Sequence, residues 1–80
     1  MPRIIDGARF NLVGKKIRQY RKEIGMSQKA LSEKLEIYAV YICRGFISRI
    51  EDGTRTVTDI ELNAIAKVLG VSILDLFPES

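Results

Sequence analysis

Residues 43–53, Cys-Arg-Gly-Phe-Ile-Ser-Arg-Ile-Glu-Asp-Gly, decide how this chain is interpreted. Cys43, Ile47 and Ile50 recur at i, i+4 and i+7, which predicts the buried face of a helix that ends at Gly53. Residues four apart in a helix lie one above the other, so a second set points away from that face. This outward set is Arg44, Gly45, Ser48 and Arg49.

The outward face carries the chemistry that a helix needs to read DNA bases. An arginine can donate two hydrogen bonds to O6 and N7 of guanine in the major groove, and a serine can bond to several bases or to phosphate. Gly45 removes bulk where a helix must lie close to a base edge, at a helix-propensity cost of about 1 kcal/mol relative to alanine.

Apolar periodicity predicts further helices on both sides of this stretch. A first helix is expected between Asn11 as its cap and Gly25 as its stop, with a buried stripe of Val13, Ile17, Tyr20 and Ile24. Ser27 is the expected N-cap of a second helix, whose buried stripe is Ala30, Leu31 and Leu35, extended to Tyr38 if the helix continues that far.

After Gly53, Thr58 and Glu61 have the spacing of a capping box and open a fourth helix, which ends at Gly70. Its stripe is Leu62, Ile65, Ala66 and Leu69. Ser72 opens a last short turn that is stopped by Pro78. The expected fold is all-α, with four or five helices around one core, in a single domain of residues 1–80. Its core spans about 12–77 and its N-terminal arm residues 1–10.

Residues 37–42, Ile-Tyr-Ala-Val-Tyr-Ile, fit this scheme less well, because β-branched and aromatic residues lie between the second and third helices. The segment either extends the second helix by a turn or forms an extended, packed loop, and periodicity does not choose between these in so short a run. Its tyrosines, together with Phe46, could stack on bases or form a partner surface, but aromatic residues in so small a chain are expected in the core.

Composition excludes several classes of protein. The chain has 80 residues, 13 basic and 10 acidic, and the charge falls along it from +5 in residues 1–26 (7 basic, 2 acidic), through +1 in 27–57 (5 and 4), to −3 in 58–80 (1 and 4). Positive charge at one end suggests a polyanionic partner. With no histidine and one cysteine, neither a metal cluster nor an internal disulfide is expected. The apolar runs are too short for a membrane span, and no signal peptide is evident.

Three stretches give a resemblance to a known family. Residues 14–35 resemble the first two helices of the Xre (Cro/CI-type) helix-turn-helix family of phage and bacterial repressors. Residues 47–55 resemble its recognition helix and following loop, and residues 64–77 its closing helices. The resemblance implies a compact lambda-repressor-like fold with a helix-turn-helix of the second and third helices, and binding of double-stranded DNA.

The resemblance also implies roles for individual residues. It places Arg44, Gly45 and Arg49 where the family reads bases, and Ser48 joins them as a candidate base reader because it lies on the same outward face. It assigns phosphate contacts to Gln28, Thr54 and Arg55, and Lys29 beside Gln28 is a further candidate for phosphate contact. Arg21 and Glu51 match a structural ion pair between the first helix and the end of the recognition helix.

Two features depart from the family pattern. The connection from Leu35 to Ile42 is about five residues longer than the usual tight turn. A subset of the family has such a connection, followed by a stretch like Val57 to Leu62. Cys43 stands where a serine or threonine cap is common, and a thiol caps poorly. At a helix N-terminus it could also be a redox switch, although a half-buried serine replacement is the plainer expectation.

The expected function is therefore sequence-specific DNA binding by a cytoplasmic transcriptional repressor, without a cofactor, metal or small-molecule ligand. We expect a homodimer on an inverted repeat, with either the C-terminal Ile73, Leu74 and Phe77 or the arm residues Ile4, Ile5 and Phe10 at the interface. The alternative is a protein-interaction module on the same fold, such as an antitoxin or anti-repressor partner. An enzyme is not expected, because no nucleophile–base pair or metal set is present.

Overall fold

The computed structural model describes residues 10–78, and these form four α-helices and two 3₁₀ helices without a strand. The α-helices are α1 (Gly14–Glu23), α2 (Gln28–Leu35), α3 (Arg44–Asp52) and α4 (Asp59–Leu69), and the 3₁₀ helices are Glu36–Tyr38 and Leu74–Leu76. The all-α prediction and the order of its helices are confirmed.

Side chains accept hydrogen bonds from backbone amides at the start of three of the helices, and in two of them the acceptor is the N-cap residue itself. The N-cap of α1 is Val13, two residues after the predicted cap Asn11, but Asn11 Oδ1 still accepts hydrogen bonds from the amides of Val13 and Gly14, at 3.1 and 2.8 Å. Ser27 Oγ accepts from Ala30 N at 3.0 Å at the start of α2. The capping box of α4 is present in both directions. These bonds satisfy amides that a helix leaves without intrahelical partners.

The core lies where α1, α2, α3 and α4 meet. Its fully buried large side chains are Ile17, Leu31, Leu35, Ile42, Ile47, Ile50, Ile65 and Leu76. Most of the predicted stripes contribute to it. Ile24 does not, because α1 ends at Glu23 and the side chain after it leaves the helical stripe; it is 52% exposed.

The connection between α2 and α3 combines both of its predicted forms. Glu36–Tyr38 continues α2 as a 3₁₀ turn, and Ala39 then reverses the chain in the left-handed region, with φ of 60°. Beyond it the chain is irregular, with the side chains of Val40 and Ile42 in the core, and the Ile42 carbonyl oxygen accepts a 2.6 Å hydrogen bond from Ser32 Oγ. Val40 and Ile42 are the residues of the connection that pack into the core, and its other large apolar side chains, Ile37, Tyr38 and Tyr41, face solvent.

The aromatic residues of this region are exposed, which corrects the expectation that they lie in the core. Tyr38 and Tyr41 are 44% and 76% exposed, and Phe46 is 45% exposed. The connection contributes Val40 and Ile42 to the core instead.

None of the helices within residues 10–78 is long and apolar enough to cross a membrane.

The first turn of α1 packs directly on the last turn of α3. A Cβ built on Gly14 would collide with the carbonyl oxygen of Ile50, so only glycine permits this approach. Asn11 Nδ2 donates to the same carbonyl oxygen at 3.0 Å and to that of Arg55 at 2.7 Å. The C-terminal end of α3 is thereby fixed on the start of α1.

Candidate nucleic-acid interface

The outward face of α3 is open to solvent. Arg44, Gly45 and Arg49 are exposed and Ser48 is half-buried, whereas Ile47 and Ile50 of the opposite face are fully buried. The exposed face therefore brings all of the predicted base-reading residues onto one surface. No described atom outside the local chain lies within 4 Å of a Cβ built on Gly45, so this part of the surface is unobstructed.

Cys43 was predicted on the buried face of α3, and that prediction is wrong. The residue is the N-cap of α3, with φ of −72° and ψ of 163°, and it is exposed. An N-cap precedes the first helical turn and has non-helical dihedrals, so the helical period does not extend to it. Within residues 10–78 its thiol caps no backbone amide.

Arg21 and Glu51 form a buried, two-bonded ion pair between α1 and α3. Arg21 Nε donates to Glu51 Oε2 at 2.7 Å and Nη2 donates to Oε1 at 2.9 Å, with side chains only 8% and 2% exposed. Arg21 Nη1 also donates to the carbonyl oxygen of Met26 at 2.8 Å. The pair links α1, the turn before α2 and the last turn of α3, which sets the angle of α3.

Gln28 is attached to this ion pair. It is the first residue of α2, and its Nε2 donates to Glu51 Oε1 at 3.1 Å. One N–H of the side-chain amide is used in this bond, so the second remains for another acceptor. Lys29 beside it is exposed. The free amides at the start of α2 favour an anion at the same place.

The loop after α3 positions two further residues. Thr54 is exposed and its Oγ1 donates to the Arg49 carbonyl oxygen at 3.3 Å. Arg55 Nη1 and Nη2 donate to the two carboxylate oxygens of Glu61, at 3.1 and 3.2 Å, and Nη1 also donates to the Thr56 carbonyl oxygen at 2.9 Å. Three of the five guanidinium N–H groups are therefore engaged, and two remain.

The Arg55 guanidinium changes the acid–base behaviour of Glu61. Its hydrogen bonds are the largest influence that holds the pKa of Glu61 below the ordinary value of 4.5. The hydrogen bonds from Thr58 act in the same direction, while burial of the carboxyl opposes them. Arg55 and Glu61 thus form a charged pair between the loop and the capping box of α4.

Phe46, which was expected in the core, lies on this surface, and its contacts with arginine side chains were not predicted from the sequence. The Cζ atoms of Arg49 and Arg55 lie 5.9 and 5.3 Å from the centroid of its ring, within the range of cation–π contacts. The signal for the first contact was present in the sequence, because Phe46 and Arg49 are three residues apart on one helix. The contact with Arg55 depends on the loop and had no such signal.

The described residues divide into two groups along α3. Arg44 and Gly45 lie at its N-terminal end. Thr54 lies at its C-terminal end, where Gln28 is also held by its hydrogen bond to Glu51. Residues 10–78 contain no group of three or more potential metal ligands. The predicted arm residues Ile4 and Ile5 lie outside the described residues.

Comparison with known proteins identifies the family and the fold. A family model described as helix-turn-helix matches residues 17–76. The crystal structure of the restriction-modification controller protein C.AhdI from Aeromonas hydrophila is similar, with 26% identity, a TM-score of 0.72, and coverage of 82% of this chain and 96% of that chain.

A second similar structure is that of SinR, a master regulator for biofilm formation, in complex with DNA. It shows 34% identity and a TM-score of 0.69, with coverage of 80% of this chain and 95% of that chain. No curated protein sequence matches the chain significantly. The family match covers most of the chain and contains both α2 and α3. The chain belongs to the helix-turn-helix family.

Proposed function

We propose that this chain is a sequence-specific regulator of transcription that binds double-stranded DNA through α3. The exposed outward face of α3 carries this proposal, because Arg44, Gly45 and Arg49 all face solvent on a helix whose opposite side is fully buried. The similarity to SinR, whose structure holds DNA, supports it.

In this proposal α3 lies in the major groove and its arginines read the bases. Arg44 and Arg49 donate to O6 and N7 of guanines, Ser48 bonds to a neighbouring base, and Gly45 lets the helix lie close to the base edges. The buried Arg21–Glu51 pair does not contact DNA. It fixes α3 against α1, so the arginines enter the groove at one angle.

Phosphate contacts on either side of α3 fix the register of the protein on the duplex. Gln28 donates its remaining amide hydrogen to a phosphate, which the free amides of α2 and the charge of Lys29 also attract. Thr54 and the unused N–H groups of Arg55 contact the backbone after α3. These contacts carry affinity and its dependence on salt, but no sequence information.

A single domain of this size presents one recognition helix, so we propose a homodimer on an inverted repeat, with half-sites about one helical turn apart. Within residues 10–78, the candidates for the dimer surface are Leu74, which is 82% exposed, and its neighbours Ile73 and Phe77. Occupying such an operator in the cytoplasm would repress transcription by excluding other proteins from the promoter.

The test is selection of binding sites from a random double-stranded DNA library, followed by affinity measurements at two salt concentrations. We expect an inverted repeat that contains guanines, bound with a steep dependence on salt. Arg49→Ala should cost about 1–3 kcal/mol at the preferred site and relax the preference at one base position. Lys67→Ala on α4 is the matched control, because it removes one exposed positive charge away from α3.

An equal loss for all sequences in Arg49→Ala would make Arg49 a phosphate contact and not a base reader. If no sequence is enriched, a protein-interaction module becomes the better proposal. One observation favours that second candidate, since Ile37 and Tyr41 of the connection are 78% and 76% exposed. Exposed apolar side chains of this kind suit a protein partner.

A further inference from the structure

Phe46 lies between two arginines that the proposed function uses for different purposes. It is the third residue of α3, next to the outward face, and its ring is 45% exposed. The Arg49 guanidinium carbon lies 5.9 Å from its centroid and that of Arg55 5.3 Å. Arginine side chains on a helix surface otherwise sample many rotamers, so a neighbouring ring restricts where each guanidinium lies.

The two contacts differ in how firmly the arginine is held from its other side. Arg55 donates to both carboxylate oxygens of Glu61 and to the Thr56 carbonyl oxygen. Glu61 is itself fixed, because its carboxylate accepts from the Thr58 amide at 3.0 Å in the capping box of α4. Arg55 is therefore anchored to α4, and the ring of Phe46 rests against an anchored group.

Arg49 has no comparable anchor among residues 10–78, since its guanidinium makes none of the side-chain hydrogen bonds or ion pairs found there. Its described contact is the cation–π contact with Phe46. The structure thus gives a continuous series from Glu61 through Arg55 and Phe46 to Arg49. Each member except Arg49 is held by at least two neighbours.

We propose that Phe46 is a positioning residue for base reading by Arg49, supported by Arg55 of the following loop, which Glu61 of α4 anchors. The inference rests on the proposed function, because a reading role for Arg49 is part of it. Holding the guanidinium in place before binding reduces the conformational entropy that is lost when it engages a base. The ring favours the base-contacting rotamer and so contributes to sequence preference without contacting a base edge itself.

The first arm of the test uses the free protein. Aromatic ring currents displace the side-chain NMR resonances of nearby groups, so the Arg49 Nε–H and Cδ–H resonances of the wild-type protein should be displaced from random-coil positions. Phe46→Leu keeps an apolar side chain but removes the ring, and it should return these resonances toward random-coil values. Phe46→Tyr, which keeps a ring, is the matched control and should retain the displacement.

The second arm uses the DNA site recovered by selection and a variant site changed at the base that Arg49 reads. Phe46→Leu should lower the ratio of the two affinities about two- to five-fold, in line with an exposed cation–π contact. The same substitution in an Arg49→Ala background should leave that ratio unchanged. Preference at the base read by Arg44 should persist in both backgrounds.

The outcomes separate this inference from the function on which it rests. Wild-type protein with no preferred sequence overturns the proposed function and this inference with it. A preferred sequence whose affinity ratio survives Phe46→Leu overturns the inference alone. An equal loss of affinity on both sites, or undisplaced Arg49 resonances in the wild-type protein, also overturns it, since Phe46 would then be a general contact or unrelated to Arg49.

Discussion

The two ends of α3 are held differently. At the C-terminal end, Glu51 is buried in an ion pair and the Ile50 carbonyl oxygen accepts a hydrogen bond from Asn11. At the N-terminal end, Cys43 is exposed and its thiol caps none of the described amides. One end is held by contacts with α1 that are distant in sequence. The other is held through the connection from α2, whose Ile42 is buried and accepts, at its carbonyl oxygen, a hydrogen bond from Ser32 of α2.

This difference indicates how a lengthened connection is tolerated in a helix-turn-helix. The angle of α3 is fixed mainly at the end away from Arg44 and Gly45, by the Arg21–Glu51 pair and the close approach of Gly14. A longer connection at the other end then needs only to bury Val40 and Ile42. We therefore expect substitutions at the C-terminal end to affect stability more than those at the N-terminal end.

The largest effect is expected for Glu51→Ala. Removal of the carboxylate leaves the buried Arg21 guanidinium without its partner and Gln28 without its acceptor, at a cost of about 3–5 kcal/mol in the free energy of unfolding. Urea denaturation followed by circular dichroism measures this. Glu61→Ala is the matched control, because it breaks a more exposed arginine pair and should cost less than about 1 kcal/mol beyond the loss of its cap.

A second comparison sharpens the result for Glu51. Replacing both partners, as Arg21→Met with Glu51→Leu, removes the charges together and should recover most of the stability that Glu51→Ala loses. If Glu51→Ala alone were nearly neutral, the ion pair would not be what fixes α3 on α1.

Two glycines of α1 and α3 provide the next prediction. Gly14→Ala places a methyl group against the Ile50 carbonyl oxygen and should destabilise the protein by about 1–3 kcal/mol, despite the better helix propensity of alanine. Gly45→Ala, in open space at the other end of α3, should stabilise it by up to about 1 kcal/mol. Thermal unfolding of both variants measures the contrast. Equal effects on the two would show that the α1–α3 contact can relax.

A smaller gain is expected at the N-terminal end from Cys43→Ser. The backbone of Cys43, with φ of −72° and ψ of 163°, nearly matches those of the capping residues Ser27 and Thr58, at −78° and 164° and at −78° and 163°. A serine hydroxyl there is placed to accept from the Phe46 amide and should stabilise the protein by about 0.5–1 kcal/mol.

The control for this cap is Cys43→Ala, which removes the thiol without adding an acceptor and should leave stability close to that of the wild type. Equal unfolding midpoints for the serine and alanine variants would mean that the hydroxyl does not cap α3. Binding of Cys43→Ser to DNA with and without peroxide also tests the redox switch, since a difference in the wild type that is absent from the variant would support it.

The sequence predicted most of the fold because its signals are local. Ser27 and the Thr58–Glu61 box are read within a single turn, and the stripe of Ile47 and Ile50 lies within one helix. Gly14 was not recognised, because its role depends on how α1 meets α3. The contact between Phe46 and Arg55 was also not predicted, because it depends on the conformation of the loop that follows α3.

Glu61 shows the same division, because its capping role was predicted and its pairing with Arg55 was not. Arg55 and Glu61 are six positions apart, across the end of the loop and the start of α4, and no regular period places them together. The pairing lowers the pKa of Glu61, so this carboxylate binds protons less readily in the folded state than in the unfolded chain. That difference gives the smallest of the expected effects.

A carboxyl whose folded-state pKa is lowered stabilises the protein fully above its unfolded pKa, near 4.5, and the stabilisation is lost as the pH falls below that value through the folded pKa. The difference in stability between wild type and Glu61→Gln should therefore be constant near neutral pH and shrink in acid. Urea unfolding across this range measures it, with Asp59→Asn as the control for an exposed carboxylate on α4.

If that difference does not depend on pH, the Arg55–Glu61 pair contributes nothing to folding, and the anchor for Phe46 must come from packing alone. If it shrinks in acid while the Arg49 resonances also move toward random-coil positions, the charge at Glu61 is what holds Arg55 against the ring. The same titration then extends the comparison to the two charged pairs around α3. A buried ion pair fixes the C-terminal end on α1, and a more exposed pair, which acid releases, supports Phe46 and Arg49 on the outward face.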